Sequence, residues 1–297
     1  MTGHFVELGG IRIHYLDHPG GEPALVLLPG LSATAPIFED LIGAGLAPRF
    51  RAVAVDLRGR GQSDGPPAGF DPASPAAGYT MAEHAADVVR LLDALGLRRA
   101  VLVGHSFGGM LAFYLAAHHP QRIPRIVVLD AAFAVAAPAT RDLLRPMLAR
   151  LGVEVPSWDA YLEAVRQLPY LQDRWEPGLE RYFRGYVRIG PDGKVRQLVQ
   201  PEAILAALEG ILVEDWEKII AAIRQPVLLI NAMDPFGPAG SEPFLPREQA
   251  MATVEALEYG SYLAVAGNHI TMIFGNNARA VAAAIGPFAS TAAASER

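Results

Sequence analysis

Residues 100–112, Ala-Val-Leu-Val-Gly-His-Ser-Phe-Gly-Gly-Met-Leu-Ala, leave this chain few options. Ala100 to Val103 is a short apolar run rich in β-branched residues and closed by Gly104, the pattern of a buried strand. From Phe107 to His119 the apolar residues Met110, Leu111, Phe113, Tyr114 and Leu115 recur at helical spacing. Strand must therefore become helix around Ser106. The residues on either side must be small, because strand and helix pass close to one another there. A serine on so tight a turn is forced into a strained backbone with its hydroxyl turned outward. The helix that follows aims its N-terminal N–H groups and positive dipole end at that serine, which suits a nucleophile whose intermediate carries an oxyanion.

The pattern Gly104-His105-Ser106-Phe107-Gly108, with a strand before it and a helix after it, resembles the nucleophile elbow of the α/β-hydrolase superfamily. The stretch Asp56-Leu57-Arg58-Gly59-Arg60-Gly61-Gln62-Ser63-Asp64 resembles the same superfamily. It reads as structural, with glycines turning the chain and Arg58 or Arg60 pairing with carboxylates. It lacks P-loop spacing and opens no helix.

The rest of the chain is patterned to match. His4-Phe5-Val6-Glu7-Leu8 and Ile11-Arg12-Ile13-His14-Tyr15 alternate about Gly9-Gly10, as a half-exposed hairpin does. Leu25–Leu28, Val53–Val55, Ile126–Leu129, Val227–Ile230 and Tyr262–Val265 are apolar runs of the kind that make parallel strands covered on both faces. Helical patterning separates them over about 34–47 and 80–95, and a closing helix spans about 276–289. Thr80 with Glu83 fits a capping box. The expected fold is α/β: a mostly parallel, eight-stranded twisted sheet flanked by helices. The superfamily core would take residues 1–133 and 226–297. Residues 134–225 read as an inserted helical cap, with helical pieces at 141–151, 158–167, 179–188 and 201–223 and no buried-strand signal.

A serine at its free pKa needs a base, and the base needs an orienting carboxylate. The superfamily order is Ser, then Asp or Glu, then His. His269, in a loop between the last strand and the last helix, is the expected base. His84, His118 and His119 read as solvated helix residues, and His105 as pointing away from the site. Asp234, after the strand at 227–230, is the preferred acid, and Asp130, at the end of the strand at 126–129, is the alternative. Backbone N–H groups of Phe107 and Leu31 should form the oxyanion hole. Many superfamily members have His-Gly where this chain has Pro29-Gly30, a departure that removes a bracing side chain but no donor. Ser32, Trp158, Tyr182 and Met233 are expected to touch substrate.

The resemblance thus implies a serine hydrolase that cleaves an ester, thioester or lactone of a small, largely apolar substrate through an acyl-enzyme. Carbon–carbon or amide hydrolysis by the same triad is the rival among enzymes. A catalytically silent ligand-binding member is the rival of another class. Dehalogenase and epoxide hydrolase chemistry is disfavoured, because the resembling enzymes carry a carboxylate at the elbow where this chain has Ser106.

A net charge of −6 with no Lys/Arg cluster argues against a nucleic-acid partner. Hydrophobic content of 51% with 19% charged residues is that of a globular chain. The absence of cysteine excludes disulfides, thiolate metal ligands and a cysteine nucleophile. No metal or cofactor is expected. The N-terminus lacks a basic, then apolar, leader, and no run is long enough to span a bilayer, so a cytoplasmic protein with no membrane partner is the expectation. Monomer and homodimer both stay open.

Overall fold

The computed structural model describes residues 3–66, 78–133, 144, 148–238 and 240–294. Its centre is an eight-stranded sheet in the order β1-β2-β4-β3-β5-β6-β9-β10. The hairpin β1 (Gly3–Leu8) and β2 (Ile11–His18) turns at Gly9 and Gly10, both at positive φ, and β2 joins β4 (Ala52–Val55) antiparallel. The others, β3 (Leu25–Leu28), β5 (Val101–His105), β6 (Ile126–Leu129), β9 (Val227–Ala232) and β10 (Gly260–Val265), run parallel. Every residue of β3, β4, β5, β6 and β9 is buried, which is why these strands read as unbroken apolar runs.

Helices cover the sheet. α1 (Met81–Ala94) opens on the expected capping box. Thr80 Oγ1 accepts from Glu83 N, and Glu83 Oε2 accepts from Thr80 N at 2.9 Å. α2 (Phe107–His118) is buried along its whole length to Ala116, as a helix apolar on all sides must be.

Between β6 and β9, the described residues contribute no strand to this sheet. They form α3 (Trp158–Arg166), α4 (Pro177–Tyr186), α5 (Pro201–Leu212) and α6 (Trp216–Ala222). The sequence pattern joined the last two into one helix, but Asp215 caps α6 through its side chain and breaks the run. The segment also holds a hairpin that the pattern did not signal, β7 (Val187–Ile189) with β8 (Val195–Gln197), turning at Gly193. Its strands are too short and too exposed to show an apolar run. Most of the helix expected over 141–151 lies outside the described residues. α7 (Arg247–Glu255) and α8 (Gly275–Ala294) complete the fold.

The register brings one edge of the sheet level. Leu28 pairs with Gly104, His105 with Leu129, and Leu129 with Ile230. One residue beyond these rungs, Ser106 N bonds Leu129 O and Asp130 N bonds Ile230 O. The loops after β3, β5, β6, β9 and β10 therefore leave from a common edge, where open parallel sheets place their sites.

Candidate functional site

Ser106 sits at φ 54°, ψ −117° between β5 and α2. An L-residue holds that conformation only against roughly 1–3 kcal/mol of strain, so the surrounding packing must impose it. The glycines explain how. A Cβ on Gly104 would strike the Gly108 carbonyl, and one on Gly108 would strike the Leu28 carbonyl. The turn closes only because neither has a side chain. Ser106 O then accepts from Gly109 N and Met110 N, starting α2.

His269 Nδ1–H donates to Asp130 Oδ2 at 2.7 Å, with Asp130 fully buried and His269 nearly so. The other Asp130 oxygen accepts from Asn231 Nδ2 and from Ala232 N, both at 2.9 Å. Asp130 is itself at positive φ, 53°. The expected pairing of His269 with Asp234 is therefore not what the structure shows. The end of β9 supplies hydrogen-bond donors to a carboxylate on β6 rather than a carboxylate of its own. Asp234 lies beyond that end, where its backbone N–H bonds Gly267 O at 3.0 Å. It ties the two loops together and does not pair with His269. Asn231, which the sequence reading missed, donates to Leu245 O as well and accepts from Tyr262 Oη. The signal was there: an amide inside the apolar run Val-Leu-Leu-Ile-Asn-Ala.

The His269 loop is held by Asn268, whose Oδ1 accepts from Ile270 N and Thr271 N at 3.0 Å and whose Nδ2 donates to Tyr170 O at 2.6 Å. His105 does not point away. Its Nε2–H donates to His269 O at 2.7 Å, bracing the loop from beneath, and burial pulls its pKa down to about 3. The ring is therefore neutral, and its buried Nδ1 has no partner.

Leu31 and Phe107 flank the serine. Behind both lies Arg60, wholly buried, its Nε donating to Leu31 O at 2.6 Å and its guanidinium carbon 5.0 Å from the Phe107 ring centre. Arg60 Nη1 donates to Arg58 O and to His84 Nε2. Burial lowers its pKa to about 9, so it stays a cation at neutral pH. Arg58 does pair with a carboxylate, bidentate on Asp87 at 2.7 and 2.8 Å; Arg60 instead bonds backbone oxygens and a histidine. His84 is fully buried rather than solvated. Its Nδ1–H donates to Thr80 O, and burial with Arg60 nearby holds its pKa well below 6.5. Asp56 is structural, as expected: it accepts from Ala35 N, His14 Nδ1 and Gln62 N.

Ser106, His269, Leu31 and Phe107 form one side of a cavity of about 390 Å³. Ser106 and His269 are not hydrogen-bonded to each other; such pairs often sit apart until substrate draws them together. The facing side comes from the segment between β6 and β9, with Tyr161, Tyr170, Tyr182, Tyr186, Arg150 and Gln197. Of the expected substrate contacts, Ser32 and Tyr182 line this cavity and Trp158 and Met233 do not. Trp158 stacks outside it on Tyr161 at 5.8 Å, beneath Arg184. Met233 Sδ lies 3.7 Å from Tyr262 Oη, whose proton goes to Asn231 Oδ1. Both corrections come from helix and strand phase, which a residue's proximity in sequence does not give.

Chemically, a carboxylate-oriented imidazole next to a strained serine can activate that hydroxyl. The N–H groups at a helix start and a neighbouring loop can bind an oxyanion. Among the described residues, no cluster of His, Cys, Asp or Glu could hold a metal ion, and no helix is long and apolar enough to cross a membrane.

A family model described as alpha/beta hydrolase fold matches residues 23–251. The chain is 32% identical over 242 residues, 74% of its length and 84% of the relative's, to the 2-heptyl-3-hydroxy-4-quinolone dioxygenase AqdC2 of Rhodococcus erythropolis. It is 37% identical over 130 residues to a soluble epoxide hydrolase of a Corynebacterium species. That match spans 44% of this chain and less than half, 42%, of that protein. Among solved structures, E-2-(acetamidomethylene)succinate hydrolase superposes with a TM-score of 0.76 at 21% identity, over 97% of this chain and 99% of the other, a likeness of fold.

Proposed function

The chain belongs to the alpha/beta hydrolase fold family, and from that premise we propose that it is a serine hydrolase cleaving an ester, thioester or lactone through an acyl-enzyme. The observation that carries this is the 2.7 Å bond between His269 Nδ1 and a fully buried Asp130, in the cavity that Ser106 lines from its strained turn. Ser106 Oγ attacks the carbonyl as His269 Nε2 takes its proton. Asp130 holds the imidazole with Nδ1 protonated, leaving Nε2 free as acceptor, and stabilises the imidazolium that forms. The N–H groups of Leu31 and Phe107 bind the oxyanion, each worth on the order of 10²–10³ in rate. His269 returns its proton to the leaving group, and water, activated by the same nitrogen, releases the acyl group. The inserted segment acts as a cap over the serine. The substrate is small and its body largely apolar, in keeping with the Leu, Ile and Phe side chains that fill out the cavity wall.

The test is labelling with a fluorophosphonate probe followed by peptide mapping. A single adduct on Ser106, absent in Ser106→Ala, is the expected result; no adduct in folded protein overturns the reading. The likeness to a dioxygenase over 74% of the chain favours one second reading, in which the His269–Asp130 pair deprotonates an acidic hydroxyl of an oxidisable substrate and Ser106 is dispensable. Oxygen uptake that survives in Ser106→Ala would select it.

A further inference from the structure

The cap-side wall of the cavity holds Arg150, the phenols of Tyr161 and Tyr170, and the amide of Gln197. Tyr161 is 3% exposed, with its hydroxyl beside the Gln197 amide. Burial raises its pKa to about 12, so it is a neutral donor. Tyr170 accepts from the Arg150 guanidinium through its phenol oxygen, which leaves its own proton free to donate. The ion pairs of the described residues do not include Arg150, although Arg166, Arg181, Arg196 and Arg224 all have carboxylates. Among the described residues, the one carboxylate lining the cavity is Asp130, already engaged by His269, Asn231 and Ala232 N. A cation with no carboxylate partner among the described residues, beside two phenols with protons to donate in a largely apolar cavity, suits an anionic acceptor.

We propose that Arg150, Tyr161 and Tyr170 bind a carboxylate of the substrate, so that the enzyme acts on carbonyl compounds bearing an acid group away from the scissile bond. A single guanidinium flanked by neutral phenols matches one negative charge; a phosphate monoester would call for a second cation. The idea rests on the serine hydrolase reading for its kinetics but not for its binding, and the test separates the two.

The kinetic arm compares p-nitrophenyl butyrate with p-nitrophenyl hemisuccinate, and the valerate with the hemiglutarate, in wild type, Arg150→Gln and Tyr161→Phe. Wild type should favour one hemiester over its neutral match by tenfold or more in kcat/KM. Arg150→Gln should erase that preference through KM while leaving neutral esters within about twofold. Tyr161→Phe should reduce the preference severalfold. Equal losses on both ester classes, or a wild type that prefers neutral esters throughout, overturn the proposal. The binding arm needs no turnover: glutarate, against 1,5-pentanediol, should raise the melting temperature of Ser106→Ala and not of Ser106→Ala/Arg150→Gln. Glutarate stabilisation with no hydrolysis of any ester would sink the hydrolase reading and keep this one. Hydrolysis with no glutarate effect would do the reverse.

Discussion

The two walls of the cavity are built by different physics. The sheet-side wall is backbone: strand ends in register, two residues at positive φ, and glycines that have no room for a Cβ. The cap-side wall is side chain: phenols, one amide and one guanidinium presented from short helices, turns and a hairpin. A wall made of backbone fixes what reaction is possible. A wall made of side chains fixes which molecule is presented to it. Substitutions on the first should therefore act on kcat and those on the second on KM.

The sharpest way to break that contrast is at the serine. Ser106→Ala should lower ester turnover on the order of 10⁶-fold, as loss of such a nucleophile does elsewhere, with KM nearly unchanged. Next comes the acid. Asp130→Asn should cost about 10⁴ in kcat by leaving the imidazole in the wrong tautomer, whereas Asp234→Asn should stay within about threefold. A dead Asp234→Asn beside a healthy Asp130→Asn would reverse the assignment. Smaller again, Asn231→Ala removes one of three bonds to Asp130. It should cost about 1–3 kcal/mol in denaturant unfolding and roughly tenfold in kcat.

A stability effect comes from two histidines buried on the sheet side of the site. His84 and His105 are held neutral when folded but protonate near pH 6.5 when unfolded. Below that pH the unfolded chain binds more protons, so stability falls with acid. For His105 the fall continues toward pH 3, at up to about 1.4 kcal/mol per unit. Melting temperatures recorded from pH 7 to 4 should drop in wild type and drop less in His84→Gln. The smallest effects are expected outside both walls: Met233→Leu and Trp158→Phe should leave kcat/KM within about twofold on every ester.

The contrast also explains what could be read beforehand. The sheet-side wall rests on local rules, since a serine between glycines at a strand–helix corner has one geometry. Ser106, the His269 loop and all eight strands of the main sheet were legible for that reason. The carboxylate that pairs with His269 was not, because Asp130 and Asp234 both follow buried strands. What separates them is which one the neighbouring strand supplies with donors, a fact about register. His84 could have been placed: with Met81, Ala85 and Val88 it shares the buried stripe of α1. Arg60 could not, because its partner, the Leu31 carbonyl, is 29 residues distant in sequence and packs against it only in three dimensions. The cap-side residues carry no motif. Tyr182 and Trp158 look alike in sequence, and only helix phase puts one inside the cavity and the other outside.

Arg60 has a consequence for how this protein answers to salt. Mobile ions screen charges over about 8 Å at physiological ionic strength, but only where water can carry them. No water path reaches a guanidinium with no exposed surface, so its positive field behind Leu31 and Phe107 is the same in dilute buffer and in brine. Arg150 is only partly buried and enjoys no such shelter. Between 0.05 and 1 M sodium chloride, kcat should hold steady while KM for an anionic ester climbs, and KM for its neutral match should not. The protein would then keep its chemistry indifferent to the medium while its choice of substrate follows it.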